Sequence, residues 1–166
     1  MAVANTKSGP ITNADATPIV LNNPRIAGAY LREAVGTVEV AAADDNNSVY
    51  RFVRVPSNAR ISTVQIASDA ITSGSDFNIG IWQTAQNGGA VLSENLFGDA
   101  VDLSSGIAYT DVTLETTATD IANAEKELWQ LLGLSTDPHV DYDICAIGIA
   151  VGSAAGTISL RVRYTA

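Results

Sequence analysis

The chain has 166 residues, the length of one domain with one core, and at that size roughly two thirds of the unfolded surface can be buried. Hydrophobic residues make up 46% and charged residues 16%, against about 25% charged in ordinary soluble domains, so wholesale disorder is excluded. Eighteen acids against nine bases give a net charge of −9, which argues against nucleic acid as a partner, because that binding rests on clustered Lys and Arg.

Residues 1–34 show no sustained period and hold three of the five prolines, Pro10, Pro18 and Pro24. Each proline biases its neighbour toward extended backbone, so an extended N-terminal arm is expected over 1–34. The arm nevertheless carries Ile19, Val20, Leu21, Ile26, Tyr30 and Leu31. Apolar anchors without a period suit a segment laid across a neighbouring surface, either another subunit or its own domain.

From residue 35 onward short β-rich runs alternate with turn residues, which predicts an all-β domain over 35–166. The expected strands are Val35–Ala43, Ser48–Val55 and Arg60–Ala67, with Pro56, Ser57 and Asn58 as a turn between the last two. Asp76–Gln83 alternates, with Phe77, Ile79 and Ile81 on one face and Asn78, Gly80 and Trp82 on the other. Asn87, Gly88 and Gly89 can turn it back into Ala90–Leu96 as a hairpin. Ile107–Glu115 is a further strand. One short helix is expected from Asp120 to Gly133, with Ile121, Ala124, Leu128 and Leu131 or Leu132 as its apolar stripe. Tyr142–Val151 is apolar on both faces, as in a central strand. In the last strand Ile158, Leu160, Val162 and Tyr164 oppose Thr157, Ser159, Arg161 and Arg163. About eight strands and one short helix match an antiparallel β-sandwich of jelly-roll type better than an immunoglobulin-type sandwich.

Charge is unevenly spread. Residues 61–160 hold thirteen acids and one base, Lys126, while the flanking segments hold eight bases and five acids. If Arg51, Arg54 and Arg60 met Arg161 and Arg163, a basic docking patch would sit on an acidic body; scattered arginines solvating strand faces are the other reading. Cys145 is the single cysteine, so no intrachain disulfide can form. Met1–Pro10 has no apolar h-region, and no apolar run approaches the ~20 residues that span a bilayer. No membrane association or secretory signal is expected.

Chemistry is sparse. His139 and Cys145 could form a nucleophilic pair, but Cys145 lies in an apolar run where cysteine serves as a small core hydrophobe. One Cys and one His cannot make a zinc site. Asp99, Asp102, Asp137, Asp141 and Asp143 could ligate calcium from loops, although they match no EF-hand spacing. No phosphate-binding glycine motif occurs. No cofactor, metal or catalytic residue is therefore assigned, and an enzyme is not expected. Trp82 leaves carbohydrate stacking open.

Three segments, YRFVRVPSNARISTVQIASDAI, DFNIGIW and YDICAIGIAVGSAAGTISLRVRY, carry a resemblance to small structural proteins of tailed bacteriophages, over Tyr50 to Tyr164. The resemblance implies a capsid decoration or cement protein: a β-sandwich subunit, dimer or trimer, that binds the major capsid protein on the outside of the virion head and holds capsomers together. It implies no active-site residues. On this reading the contact elements are Ile19, Val20, Leu21, Ile26, Tyr30 and Leu31 in the arm, together with Arg51, Arg54 and Arg60. The alternative is a tail-associated or receptor-binding sandwich that recognises glycans through Trp82 and loop aspartates.

Overall fold

A computed structural model describes residues 6–116 and 119–166; the first five residues of the expected arm lie outside the described residues. Eight strands form two four-stranded antiparallel sheets. They are β1 (Arg32–Val40), β2 (Val49–Pro56), β3 (Arg60–Ser68), β4 (Asp76–Gln83), β5 (Val91–Val101), β6 (Ile107–Asp111), β7 (Asp141–Ala150) and β8 (Gly156–Thr165). The strand order is β1-β8-β3-β6 in one sheet and β2-β7-β4-β5 in the other.

That order has a simple origin. Strands β4 and β5 form a hairpin, and around it β3 pairs β6, β2 pairs β7 and β1 pairs β8. The chain is thus a double ribbon with a hairpin tip. Rolling it brings β8 against β3 and β7 against β4, which completes both sheets. This is the jelly roll anticipated from the strand count.

Period-2 alternation decides which residues meet inside. Ile158, Leu160 and Val162 of β8, Phe77, Ile79 and Ile81 of β4, and Ile144 and Ala146 of β7 are all fully buried between the sheets. Phe97, Ile66, Ile71 and Leu103 complete the core. Tyr50 is buried beside Phe77 and donates its hydroxyl to Asp44 Oδ2 at 2.9 Å. Burial and the hydrogen bond to that carboxylate push the phenol up to about 12.

The sheets depart from regularity where backbones crowd. Opposite the step from Ile79 to Ile81 in β4, strand β5 advances from Ser93 to Gly98, and the looped residues bury Leu96 and Phe97. The Leu96 carbonyl displaced from the ladder accepts the hydroxyls of Thr116 and Thr119. At the other side of the sandwich β1 and β2 close against each other, and a Cβ placed on Gly36 would lie 2.2 Å from the Phe52 carbonyl oxygen.

Two helical expectations need correction. Instead of one helix over 120–133 there is a 3-10 turn at Ile121–Asn123 and a separate single-turn helix, which we label α2 (Leu128–Leu131); α1 (Gly9–Ala14) was unforeseen. Asp120 caps the first turn as expected, accepting from the Ala122 amide. Glu127, however, is extended (φ −81°, ψ 160°) and caps α2 reciprocally with Gln130. A buried carboxylate committed to local caps competes with continuous helix, and the chain breaks there. Of the expected stripe, Leu128 is fully buried and plugs the open end, with its amide donating to the Ala59 carbonyl, whereas Ile121 is exposed.

The Gly36 contact gives a direct test. Gly36→Ala should lower stability by about 1–3 kcal/mol, the usual cost of forcing an extra carbon into a packed site. Gly9→Ala, where a Cβ meets nothing within 4 Å, should be close to neutral. Urea denaturation of both variants checks the pair, and a Gly36→Ala midpoint equal to the parent's would refute the close approach.

Candidate functional site

Strand β2 begins with alternating residues, so Arg51 and Arg54, three apart, would ordinarily face opposite ways. A bulge at Phe52 changes that. Arg51 pairs with Cys145 and Val53 with Ile144, leaving Phe52 without a partner in the register. Tyr50, Val53 and Val55 then point into the core while both arginines project from the outer face of the β2-β7-β4-β5 sheet.

There they converge on Asp143. Arg51 Nη1 donates to Oδ2 at 2.9 Å and Arg54 Nε to Oδ1 at 2.7 Å. Arg51 also donates to the carbonyls of Gln83 and Gly89, at 2.9 and 3.0 Å, so it lies across β7 and straps the β4–β5 hairpin to the sheet. Burial alone would raise the Asp143 carboxyl, but the hydrogen bonds and charges of Arg54 and Arg51 outweigh it and hold the group below the ordinary carboxylate range. Both guanidinium groups stay partly exposed, at 37% and 46%, and border an open depression with Phe52 and Val53.

Arg60 lies elsewhere. Its Nε donates to the Arg25 carbonyl at 3.1 Å and its Nη1 to the Ala124 carbonyl at 3.3 Å. Arg161 stacks on Tyr109, 4.0 Å from the ring centroid, and Arg163 pairs with Glu33 at 2.7 Å, both on the outer face of the opposite sheet. The single basic patch considered from sequence therefore does not form, because β2 and β8 belong to different sheets with opposed outer faces and Arg60 is committed to the Arg25 and Ala124 carbonyls.

The arm has two parts. Residues 8–22 close on themselves: Thr12 and Asp15 amides complete α1, the Val20 amide donates to the Asn13 carbonyl, and Asn13 and Asn22 side chains bond each other at 2.9 Å. Residues 23–25 form a hook on the body. Asn23 Nδ2 and Arg25 Nη1 both donate to Glu127 Oε1, at 3.2 and 3.3 Å, and the Arg25 carbonyl accepts from Thr165 and Arg60. Glu127 itself is buried, and its other oxygen takes the Trp129 indole N–H at 2.8 Å.

Among the six apolar arm residues singled out from sequence, Ile26 is half-buried. Ile19, Val20, Leu21, Tyr30 and Leu31 are all at least half exposed, with Leu21 and Tyr30 at 91%. Ile11 joins them at 52%, a residue the sequence did not single out. Nothing in the amino-acid pattern marked Asn23 or Glu127 as partners, since they stand 104 residues apart. Asp143 did carry a signal: a lone acid in an apolar central strand demands a partner.

The sites considered for chemistry resolve differently. Cys145 is fully buried beside Trp82 and Ile147, and burial pushes its thiol up to about 12, away from the thiolate that nucleophilic work requires. His139 sits 81% exposed on a loop, with Nδ1 3.1 Å from Asp137 Oδ2. Among the described residues no three His, Cys, Asp or Glu side chains gather as metal ligands, and no helix is long and apolar enough to cross a membrane. Trp82 does face outward from the core, but it is 4% exposed and offers no open ring for a sugar.

No family model and no curated protein matches the chain. Among solved structures it is similar to a chain of the capsid of Ralstonia phage GP4, at 14% identity and TM-score 0.60, covering 82% of this chain and 84% of that one. Weaker likenesses are to the cyanophage Pam1 capsid asymmetric unit (15% identity, TM-score 0.47, covering 91% and 96%) and the acid-stable capsid of Helicobacter pylori bacteriophage KHP30 (17%, 0.40, covering 82% and 94%). The chain of the GP4 capsid shares the fold.

The Asp143 strap makes a pH prediction. A carboxyl held below its unfolded value stabilises the fold above that value, about 3.9, and the contribution is lost as pH falls through the lower folded one. Asp143→Asn should cost about 2 kcal/mol at pH 7, a figure reduced from that of a fully buried pair because both guanidiniums are partly wet. It should also flatten the fall in stability between pH 5 and 2. Urea titrations at pH 7 and pH 2.5 measure both, and an equal penalty at the two pH values would contradict the assignment.

Proposed function

We propose that the chain is a structural subunit of a bacteriophage virion, a capsid decoration or cement protein that binds the major capsid protein on the head exterior and stabilises capsomer junctions. The observation that carries this reading is the arm. Six large apolar side chains stand half or more exposed within residues 11–31, on a body whose own core is already complete. Water-exposed apolar surface concentrated on one short segment marks a contact with another protein. Burying each such side chain contributes about 1.5–3 kcal/mol, and many identical contacts on one lattice reinforce one another.

Likeness in fold to a chain of a phage capsid supports the same reading. So does the chemistry: the thiol is buried and the histidine stands on an exposed loop. The glycan-binding alternative is disfavoured by the enclosure of Trp82.

Truncation should stop at residue 22, because the Arg25 carbonyl is bonded to the body through Arg60 and Thr165. The chain lacking residues 1–22 should keep its unfolding temperature yet bind capsids of its own virion at least tenfold more weakly, as read by co-sedimentation. Undiminished binding by the truncated chain would remove residues 1–22, with Ile11, Ile19, Val20 and Leu21, from the interface. Failure of the full chain to sediment with capsids would end the proposal.

A further inference from the structure

We propose that the hook at Asn23–Arg25 is exchanged between two copies of the chain: in the assembled state it engages Glu127 of a second copy. The proposal rests on the reading of the arm as an interface and names what that interface holds.

Four observations carry it. First, the arm folds as a unit, since the hydrogen bonds of residues 7–22 run within that segment. It can therefore move without losing its own structure. Second, the hook is charge-complementary to its socket, with the Arg25 guanidinium meeting the buried Glu127 carboxylate. Any contact an arm makes with its own body can be made with the same body of a neighbour, so the same partners are available to an exchanged arm, which is free to meet them at a different angle.

Third, the closed hook is imperfect. Its two bonds to Glu127 Oε1 are long, at 3.2 and 3.3 Å, and Arg25 Nε is buried without a hydrogen-bond partner among the described residues. A guanidinium offers a rigid fork that grips a carboxylate best through parallel bonds, and the closed chain uses one prong. Fourth, the connection back to β1 turns at Gly28, whose φ of +90° is open to glycine and costly to other residues. A Cβ there meets nothing within 4 Å, the adjoining Tyr30 and Leu31 are exposed, and the Ile26 and Ala27 amides bond the Asn23 carbonyl and so travel with the hook, which leaves half-buried Ile26 as the packing beside the turn. Straightening it carries the hook away from its own Glu127.

The test uses purified full-length protein without capsids, so its failure is separable from failure of capsid binding. Wild type should sediment as a dimer. N23A/R25A, with its hook removed, and E127A, with its socket removed, should each dissociate at least tenfold more readily. Mixed in equal amounts they should re-form dimers, because an intact hook of one meets an intact socket of the other. A monomeric wild type, variants that remain dimeric alone, or a mixture as dissociated as its components would each overturn the proposal. Gly28→Ala provides a second measurement that leaves hook and socket untouched: by penalising the closed turn it should strengthen dimerisation about fivefold per hinge. Unchanged or weaker dimerisation in that variant counts against exchange.

Discussion

Two sheets must meet face to face with no water between them, and each strand has a side-chain period of two. The other features of the molecule follow from that requirement. A ribbon of nested antiparallel pairs, tipped by the β4–β5 hairpin, satisfies it by rolling until β8 lies beside β3 and β7 beside β4. Inward parity then belongs mainly to Ile, Val, Leu and Phe, and the outward parity holds charged and hydroxyl residues together with a small apolar cluster of Trp82, Cys145 and Ile147.

Irregularities carry much of the individuality. The bulge at Phe52 turns two arginines that would have been on opposite faces onto one face, where a single buried carboxylate unites them. The same strap holds the hairpin that forms the tip of the ribbon. The looped part of β5 sinks Leu96 and Phe97 into the core, and the backbone it displaces is satisfied by threonine hydroxyls rather than by a neighbouring strand.

The arm reverses this economy. Its polar atoms are used internally or on Glu127, Arg60 and Thr165, while most of its large apolar side chains face outward. The body conceals its hydrophobic surface and the appendage displays it.

The strand pattern was legible in the sequence because one buried face imposes alternation on every strand, and the run in β8 could belong to nothing else. The bounds shifted by a few residues at turns, as at β1, which starts at Arg32 and ends at Val40 rather than running to Ala43. The split of the expected helix was not legible, because it turns on Glu127 standing extended and capping with Gln130, and that carboxylate is also buried against Asn23 and Arg25, a hundred residues away. The exposed arm residues were picked out by composition, but their exposure, the convergence of Arg51 and Arg54 on Asp143 and the separation of Arg60 from both were not. Composition and period are local and determine which face of each element is apolar; which charges meet depends on bulges, parity and the rolling of the ribbon, and these exist only once distant segments share space.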